Sequence, residues 1–349
     1  MEASDARDEM VLVTGGSGFV GGWCVIELLR RGHRVRTTIR DLAREAALRE
    51  RLAAVVDPGD RLSVVAADLS EDAGWTEAVD GVPLVLHVAS PFPPAQPKDP
   101  DELIVPAREG TLRVLRAALD AGARRVVVTS SVAAIRNPAV PPERPLTEED
   151  WTDPDRRGLT PYARSKTIAE RAAWDLVRER GEEERLAAIN PGAILGPVIS
   201  DDRSYSIEVV ERLMKGMPGV PRLGFDYVDV RDVADLEIAA LTAPAGGGQR
   251  FIAATRFLWM EEVAEILRDR LGPEAAKVPK RTVPDLLVRA MGLFDPGIRT
   301  ITGDLGEKRV CSADKARSRL GWSPRPIEDT VVDTARSLVE HGVVPARAA

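Results

Sequence analysis

The sequence predicts an α/β protein: a doubly wound parallel sheet followed by a smaller, mixed α/β C-terminal lobe. Three observations predict it. Across the first 190 residues, short β-branched runs alternate with longer runs of helical period. Strands that alternate with helices make βαβ units and a parallel sheet. The run Val126-Val127-Val128 is apolar without alternation, which suits a strand covered on both faces. The first strand passes into the first helix through a glycine-rich turn, a junction that doubly wound sheets use at their carboxyl edge.

Taken in order, Met10 to Thr14 reads as a strand. Phe19 to Arg31 reads as a helix, with apolar residues at Val20, Trp23, Cys24, Ile26, Leu28 and Leu29 and with Gly32 as its stop. Arg34 to Ile39 is the second strand, and Leu42 to Val56 a helix closed by Pro58 and Gly59. Leu62 to Ala67 and Leu84 to Val88 are the third and fourth strands. Leu103 to Ala121 is a long helix ending at Gly122, and Arg125 to Thr129 is the fifth strand. Pro161 to Arg180 is a helix with Thr160 as N-cap, Pro161 at its first position and Gly181 as its stop. Arg185 to Ile189 is the sixth strand. The proline-rich stretches Pro91 to Pro100 and Pro138 to Pro145 read as long loops at strand exits, where long loops usually serve function. Beyond about residue 190, proline and glycine become frequent and helical runs shorten. The expected division is 1–190 for the sheet domain and 191–349 mainly for the second lobe, with about 225–243 returning to the first.

Composition excludes several classes. The 349 residues carry 48 Lys and Arg against 55 Asp and Glu, a net charge of −7. No basic footprint for nucleic acid is present at the level of the chain. No apolar run is long enough for a membrane helix, and Met1 to Met10 lacks the basic start and apolar stretch of a signal peptide. Only two cysteines occur, Cys24 and Cys311, far apart and in no paired motif. A disulfide framework and a metal site are not expected, and a reducing cytoplasm is. Of three histidines, His87 lies in the apolar run Leu84 to Ala89 and reads as a core or strand-end residue rather than a catalyst.

The turn is Thr14-Gly15-Gly16-Ser17-Gly18-Phe19-Val20-Gly21. Gly15 permits the tight turn, Gly18 lets the backbone approach a pyrophosphate, and Gly21 lets the helix pack close to the sheet. The helix N-terminus then offers free N–H groups and positive potential to phosphates. With a strand before it, a helix after it and a second strand ending about 20 residues on, the turn reads as a dinucleotide site of the Rossmann kind. The second strand ends on Ile39, so Arg40 is the first residue out. An arginine there welcomes a 2′-phosphate, whereas an acid such as Asp41 takes the ribose hydroxyls. Asp68, after the third strand, stands either beside an adenine or as a turn or cap aspartate.

Tyr162 and Lys166 are four residues apart on one helix and so share a face. A free phenol, with a pKa near 10, is a poor acid–base group at neutral pH. A neighbouring lysine favours the phenolate and lowers that pKa. Ser131 follows the fifth strand at the carboxyl edge, where its hydroxyl can hold a carbonyl oxygen.

These signals together resemble the extended short-chain dehydrogenase/reductase family, in its dihydroflavonol reductase, cinnamoyl-CoA reductase and aldehyde reductase branch. The resemblance runs from Val11 to about His341. It rests on Thr37-Thr38-Ile39-Arg40-Asp41, His87-Val88-Ala89-Ser90-Pro91, Val128-Thr129-Ser130-Ser131, Glu148-Glu149-Asp150-Trp151, Tyr162-Ala163-Arg164-Ser165-Lys166-Thr167-Ile168-Ala169-Glu170, Asn190-Pro191-Gly192, the run from Tyr227 to Ala234, and Leu320-Gly321-Trp322-Ser323-Pro324. It implies Ser131, Tyr162 and Lys166 as the catalytic residues, with Tyr162 the acid in reduction. It implies NADP(H) as cofactor, with NAD(H) possible. The residues implied to hold it are Thr14, Gly15, Gly18, Phe19, Val20 and Gly21 at the turn, Arg40 and Arg44 at the 2′-phosphate, and Asp68 and Leu69 at adenine. Val88, Ala89, Ser90 and Thr129 run beside it, Tyr162 and Lys166 reach its ribose end, and Pro191, Gly192 and Ile194 lie near the nicotinamide. The expected activity is reduction of a ketone or aldehyde to an alcohol, or the reverse, on a small molecule bound by the second lobe, in a monomer or homodimer. The alternatives are a sugar-nucleotide epimerase or dehydratase with tightly bound NAD, and a non-catalytic NADP(H) sensor. Ala107 stands where sugar epimerases of this superfamily usually carry Asn, which counts against the first. Intact Ser131, Tyr162 and Lys166 count against the second.

Overall fold

The computed structural model describes residues 9–91, 99–141, 143–199 and 205–346. Most of the expected loop Pro91 to Pro100 lies outside the described residues. The first half runs β1 Met10–Thr14, α1 Phe19–Arg30, β2 Arg34–Ile39, α2 Glu45–Ala53, β3 Leu62–Ala66, α3 Trp75–Val79, β4 Leu84–His87, α4 Asp101–Asp120, β5 Arg125–Thr129, α5 Pro161–Arg180 and β6 Leu186–Pro191. The second half adds β7 Ala193–Leu195, α6 Tyr205–Lys215, β8 Val220–Pro221, β9 Gly224–Asp229, α7 Val230–Thr242, β10 Gln249–Ala253, β11 Arg256–Trp259, α8 Met260–Leu271, β12 Thr282–Val283, α9 Asp285–Met291, α10 Pro296–Ile301, α11 Asp314–Leu320 and α12 Ile327–Glu340.

The large sheet has seven strands in the order β10-β6-β5-β4-β1-β2-β3, every neighbouring pair parallel. From β1 the chain builds outward to β2 and β3, then crosses back to β4 on the other side of β1. That reversal opens a crevice at the carboxyl ends of β1 and β4, the place where such sheets bind ligands. One face of the sheet is covered by α1, α2 and α7, through a core that includes Val25, Ile26, Leu52 and Val233. The other face is covered by α3, α4 and α5, through Trp75, Val114, Leu115 and Trp174. Covering on both faces is why the central strands β1, β4 and β5 carry continuous apolar runs.

The remaining strands form a mixed sheet, β11-β9-β7, in which β9 runs parallel to β7 and antiparallel to β11. β8 and β12 pair separately. β9 therefore lies outside the large sheet, while α7, which follows it directly, packs on α1 and β5. The buried carboxylate of Asp229 ties this junction together. It accepts from Arg231 Nη2 at 2.7 Å and from Arg325 Nη1 at 3.2 Å. Trp322 Nε1 donates to Asp232 O at 2.8 Å, so the Leu-Gly-Trp-Ser-Pro tail is a clamp on the start of α7.

Three elements differ from the sequence reading. The second helix is a 3₁₀ turn, Leu42–Arg44, followed by the shorter α2. Asp41 accepts from the Ala43 N–H at 2.9 Å and caps that turn. The sixth strand runs to Pro191, because its pairing with β10 continues through Ala253. α3 is one short turn, opened by Gly74 at φ +84°.

Candidate active site

The crevice contains a cleft of about 560 Å³. It begins at the glycine turn, where Gly15 holds φ +70° and a Cβ would meet the Ala89 Cβ at 3.0 Å. A Cβ on Gly21 would stand 2.2 Å from the Gly15 carbonyl oxygen. The turn can therefore be this tight, and lie this close to the β4 exit, only with glycine. Gly18 is the N-cap of α1, with no side-chain cap and no acid in the first turn. The first N–H groups of the helix are left to face an anion in the cleft.

Gly15, Gly18, Phe19, Val20 and Gly21 line this end. Thr14 does not. Its hydroxyl is buried, accepts from the Ala89 N–H at 3.0 Å and lies 2.9 Å from His87 Nδ1. It fixes the β4 exit beside the turn. His87 is a buried strand-end residue whose pKa burial pulls down to about 3, so it is uncharged at neutral pH.

Arg40 and Arg44 line the next stretch. Both are exposed, and neither guanidinium has a hydrogen-bond or salt-bridge partner among the described residues. Asp41 does not line the cleft, being committed to its cap. Asp68 and Leu69 line the cleft from the β3 exit. Asp68 also serves as a turn residue: its Oδ1 accepts from Ser70 N at 2.8 Å and from Ser70 Oγ at 2.6 Å. Those bonds hold its carboxyl below the usual range. Val88, Ala89, Ser90 and Thr129 follow, then Tyr162, Lys166 and Ile194.

Pro191 and Gly192 do not line the cleft. Gly192 sits where a Cβ would come within 2.1 Å of the Asp226 carbonyl oxygen, so close packing against β9 requires it. Residues that sequence reading missed, Ser17, Thr38, Trp75 and Pro106 among them, do line it. Trp75 and Pro106 reach it from α3 and α4, which carry no motif.

At the far end Ser131 opens a 3₁₀ turn, and its Oγ accepts from Ala133 N at 3.1 Å. It shares a side-chain hydrogen bond with Tyr162. Ser130 lines the cleft, but its hydroxyl donates to Glu170, so Ser131 is the serine that meets the tyrosine. Tyr162 stands in the first turn of α5, a helix end set by Thr160, whose Oγ1 accepts from Ala163 N at 3.2 Å, and by Pro161 at its first position.

The electrostatics correct the sequence reading. Burial pushes the Tyr162 phenol up, and the opposing pull comes from Ser131 rather than from Lys166. Lys166 Nζ donates instead to the Thr129 carbonyl oxygen at 3.2 Å. Burial draws its own pKa down to about 8, against the raising pull of Glu170 and Glu237.

The site is held from behind by Glu170, one turn beyond Lys166. Its Oε2 accepts from Asn190 Nδ2 at 2.8 Å, and the same amide nitrogen donates to the Ser131 carbonyl oxygen at 3.2 Å. Glu148 Oε1 accepts from Ile252 N at 3.0 Å, and Trp151 lies under Arg250. The Glu-Glu-Asp-Trp motif thus fastens the loop after Ser131 to β10.

The sequence and fold are shared with known proteins. The family described as NAD dependent epimerase/dehydratase matches residues 11–253. Cinnamoyl-CoA reductase 1 of Petunia hybrida is 31% identical over 346 residues, covering 97% of this chain and 94% of the relative. Dihydroflavonol 4-reductase of Zea mays is 34% identical over 349 residues, covering 96% and 90%. Among solved structures, the yeast methylglyoxal/isovaleraldehyde reductase Gre2 complexed with NADPH superimposes with a TM-score of 0.80 at 26% identity, covering 96% of this chain and 99% of that one. With a family match over most of its length and relatives this similar, the chain belongs to the NAD dependent epimerase/dehydratase family and is an oxidoreductase of the extended short-chain dehydrogenase/reductase type.

Proposed function

We propose that this protein is a carbonyl reductase that converts a ketone or aldehyde to the alcohol, or the reverse, with NADP(H). The observation that carries the proposal is the hydrogen bond between Ser131 and Tyr162, with Tyr162 and Lys166 lining the cleft beside the carboxyl end of β5. The names of the relatives support it, since those proteins are reductases and the yeast structure holds NADPH.

The residues fit the cofactor. The uncapped N-terminus of α1 and the Gly15 and Gly21 cradle suit its pyrophosphate, and the unpartnered guanidinium groups of Arg40 and Arg44 suit a 2′-phosphate. NADPH, when bound, supplies the hydride. Ser131 holds the carbonyl oxygen through its hydroxyl, and Tyr162 gives its phenolic proton to that oxygen as it becomes an alkoxide. As the phenolate forms, the positive charge of Lys166, which lines the same stretch of the cleft while its ammonium is hydrogen-bonded to Thr129, stabilises it through space.

The test is to add NADPH with a panel of ketones and aldehydes and follow both cofactor and alcohol. Equal consumption and formation are expected. Purification with NAD that stays bound, together with interconversion of a UDP-sugar without net cofactor change, would overturn the reading.

A further inference from the structure

Thr129, the last residue of β5, joins two charged groups. Its carbonyl oxygen accepts from Lys166 Nζ at 3.2 Å, and its hydroxyl donates to Glu237 Oε1 at 2.5 Å. Glu237 stands on α7 and is fully buried. Its other oxygen accepts from the Cys24 thiol on α1 at 3.2 Å. No salt bridge reaches Glu237 among the described residues. A buried carboxylate without an ion pair is rare and costly, and two neutral donors compensate it only in part. Packing alone would be better served by an apolar side chain.

The groups that face Lys166 are few. His87 approaches from β4 and is uncharged at neutral pH. Tyr162 lies one turn earlier on α5. Glu170 lies one turn later, but its charge is already matched by Arg250 at 2.6 Å. Among the described residues Glu237, from α7, is the one facing carboxylate with no cation in a salt bridge to it. Its polar and charged neighbours among the described residues are Thr129, the Cys24 thiol and Lys166.

We propose that Glu237 is a positioning residue for the reaction: it anchors Thr129 against Lys166 and keeps Lys166 in its ammonium form, and so sets the alkaline limit of turnover. The inference rests on the reading of Lys166 as the partner of Tyr162. Burial pushes the Glu237 carboxyl up to about 7 and draws Lys166 down to about 8. The two groups favour each other's charged form: Lys166 pulls the Glu237 pKa down, and the ionised carboxylate pulls the Lys166 pKa up. That negative charge holds the proton on the lysine.

The experiment compares wild type with Glu237→Gln, which keeps the side chain's shape, and with Cys24→Ala, which leaves Glu237 in place but removes the thiol that favours its ionised form. In Glu237→Gln the alkaline limb of kcat/KM should move to lower pH by about one unit, with the KM for NADPH below that limb little changed. In Cys24→Ala the limb should move the same way, but less. A second readout needs no cofactor. Because the folded carboxyl binds its proton more tightly than the unfolded one, wild type should lose stability as pH rises from about 4.5 toward about 7. Glu237→Gln should lack that loss, so the Tm difference between the two should widen over that range. An alkaline limb that superimposes on wild type in both variants, or a Tm difference that stays flat, overturns the proposal. If Tyr162→Phe is inactive while the limb does not move, only this inference fails. If Tyr162→Phe stays active, the reading of the site fails, and this inference with it.

Discussion

Arg250 and Glu170 form a buried ion pair, Nε to Oε1 at 2.6 Å, with side-chain exposures of 8% and 1%. Arg250 Nη1 also donates to the carbonyl oxygens of Glu148 and Asp150 at 2.6 and 2.9 Å, and the guanidinium lies 3.6 Å from the centre of the Trp151 ring. Glu170 takes Ser130 and Asn190 on its other oxygen. The pair therefore fastens β10, β6, the β5 exit and the loop after Ser131 to the helix that carries Tyr162 and Lys166.

Removing one charge from a buried pair leaves the other uncompensated, which costs about 3–5 kcal/mol, whereas replacing both with apolar groups is often near neutral. Arg250→Met should lower the unfolding free energy by about that amount. Arg250→Met combined with Glu170→Met should lose less than the sum of the two single changes. Denaturant unfolding at neutral pH measures both. A loss below about 1 kcal/mol for Arg250→Met would show that the pair does not hold the loop.

Tyr162→Phe tests the proton. It removes one hydroxyl and leaves the ring that lines the cleft. A positioned general acid is worth about 10²–10⁴-fold in rate, so kcat/KM should fall by at least about 100-fold. The dissociation constant for NADPH, read by fluorescence titration, should change little. Retention of much more than about 1% of activity, the most that a 100-fold loss leaves, would assign the proton to another group.

The parts of this structure that were legible in the sequence are those encoded locally. The first six strands of the large sheet carry short runs rich in apolar or β-branched residues, and three of the helices between them end on Gly32, Gly122 and Gly181 at positive φ. The glycine turn and the Tyr162–Lys166 spacing are local too. Strands such as β7, β8 and β12, of three residues or fewer, are too short to show a period. Glu170, Arg250 and Glu237 acquire their meaning only from tertiary contact. A charged residue in an amphipathic helix reads as solvated until the opposing surface is known. Spacing set Tyr162 and Lys166 on one helix face, and both line the cleft, yet it did not foresee that the ammonium donates to the Thr129 carbonyl, because that oxygen comes from β5, far away in sequence.

His87 supplies a pH dependence. Its folded pKa is about 3, against an ordinary 6.5, because burial disfavours the imidazolium. Between those values the unfolded chain binds the proton and the folded one does not, so stability rises with pH. The contribution is complete above about 6.5 and is lost as pH falls toward about 3. His87→Asn should flatten this part of the curve of Tm against pH. A slope equal to wild type from pH 6.5 downward would place the acid sensitivity elsewhere.

Arg40 tests cofactor choice. It is the first residue beyond β2, it lines the cleft and its guanidinium is unpartnered among the described residues. Arg44, which also lines the cleft, offers a second cation. The competing reading, in which Asp41 takes the ribose hydroxyls, is weakened because the Asp41 carboxyl accepts from Ala43 N at 2.9 Å and caps the following turn. A 2′-phosphate carries close to two negative charges, and a guanidinium can meet it with paired, charge-assisted hydrogen bonds. Such bonds contribute about 1.5–3 kcal/mol, or about 10- to 150-fold in affinity. The measurement is kcat/KM for NADPH and for NADH in wild type and in Arg40→Ala. Wild type should prefer NADPH. The variant should lose most of that preference through NADPH alone, because NADH has no phosphate at that position. If Arg40→Ala instead improved NADH or left the ratio unchanged, Arg44 or Asp41 would be the residue that reads the ribose.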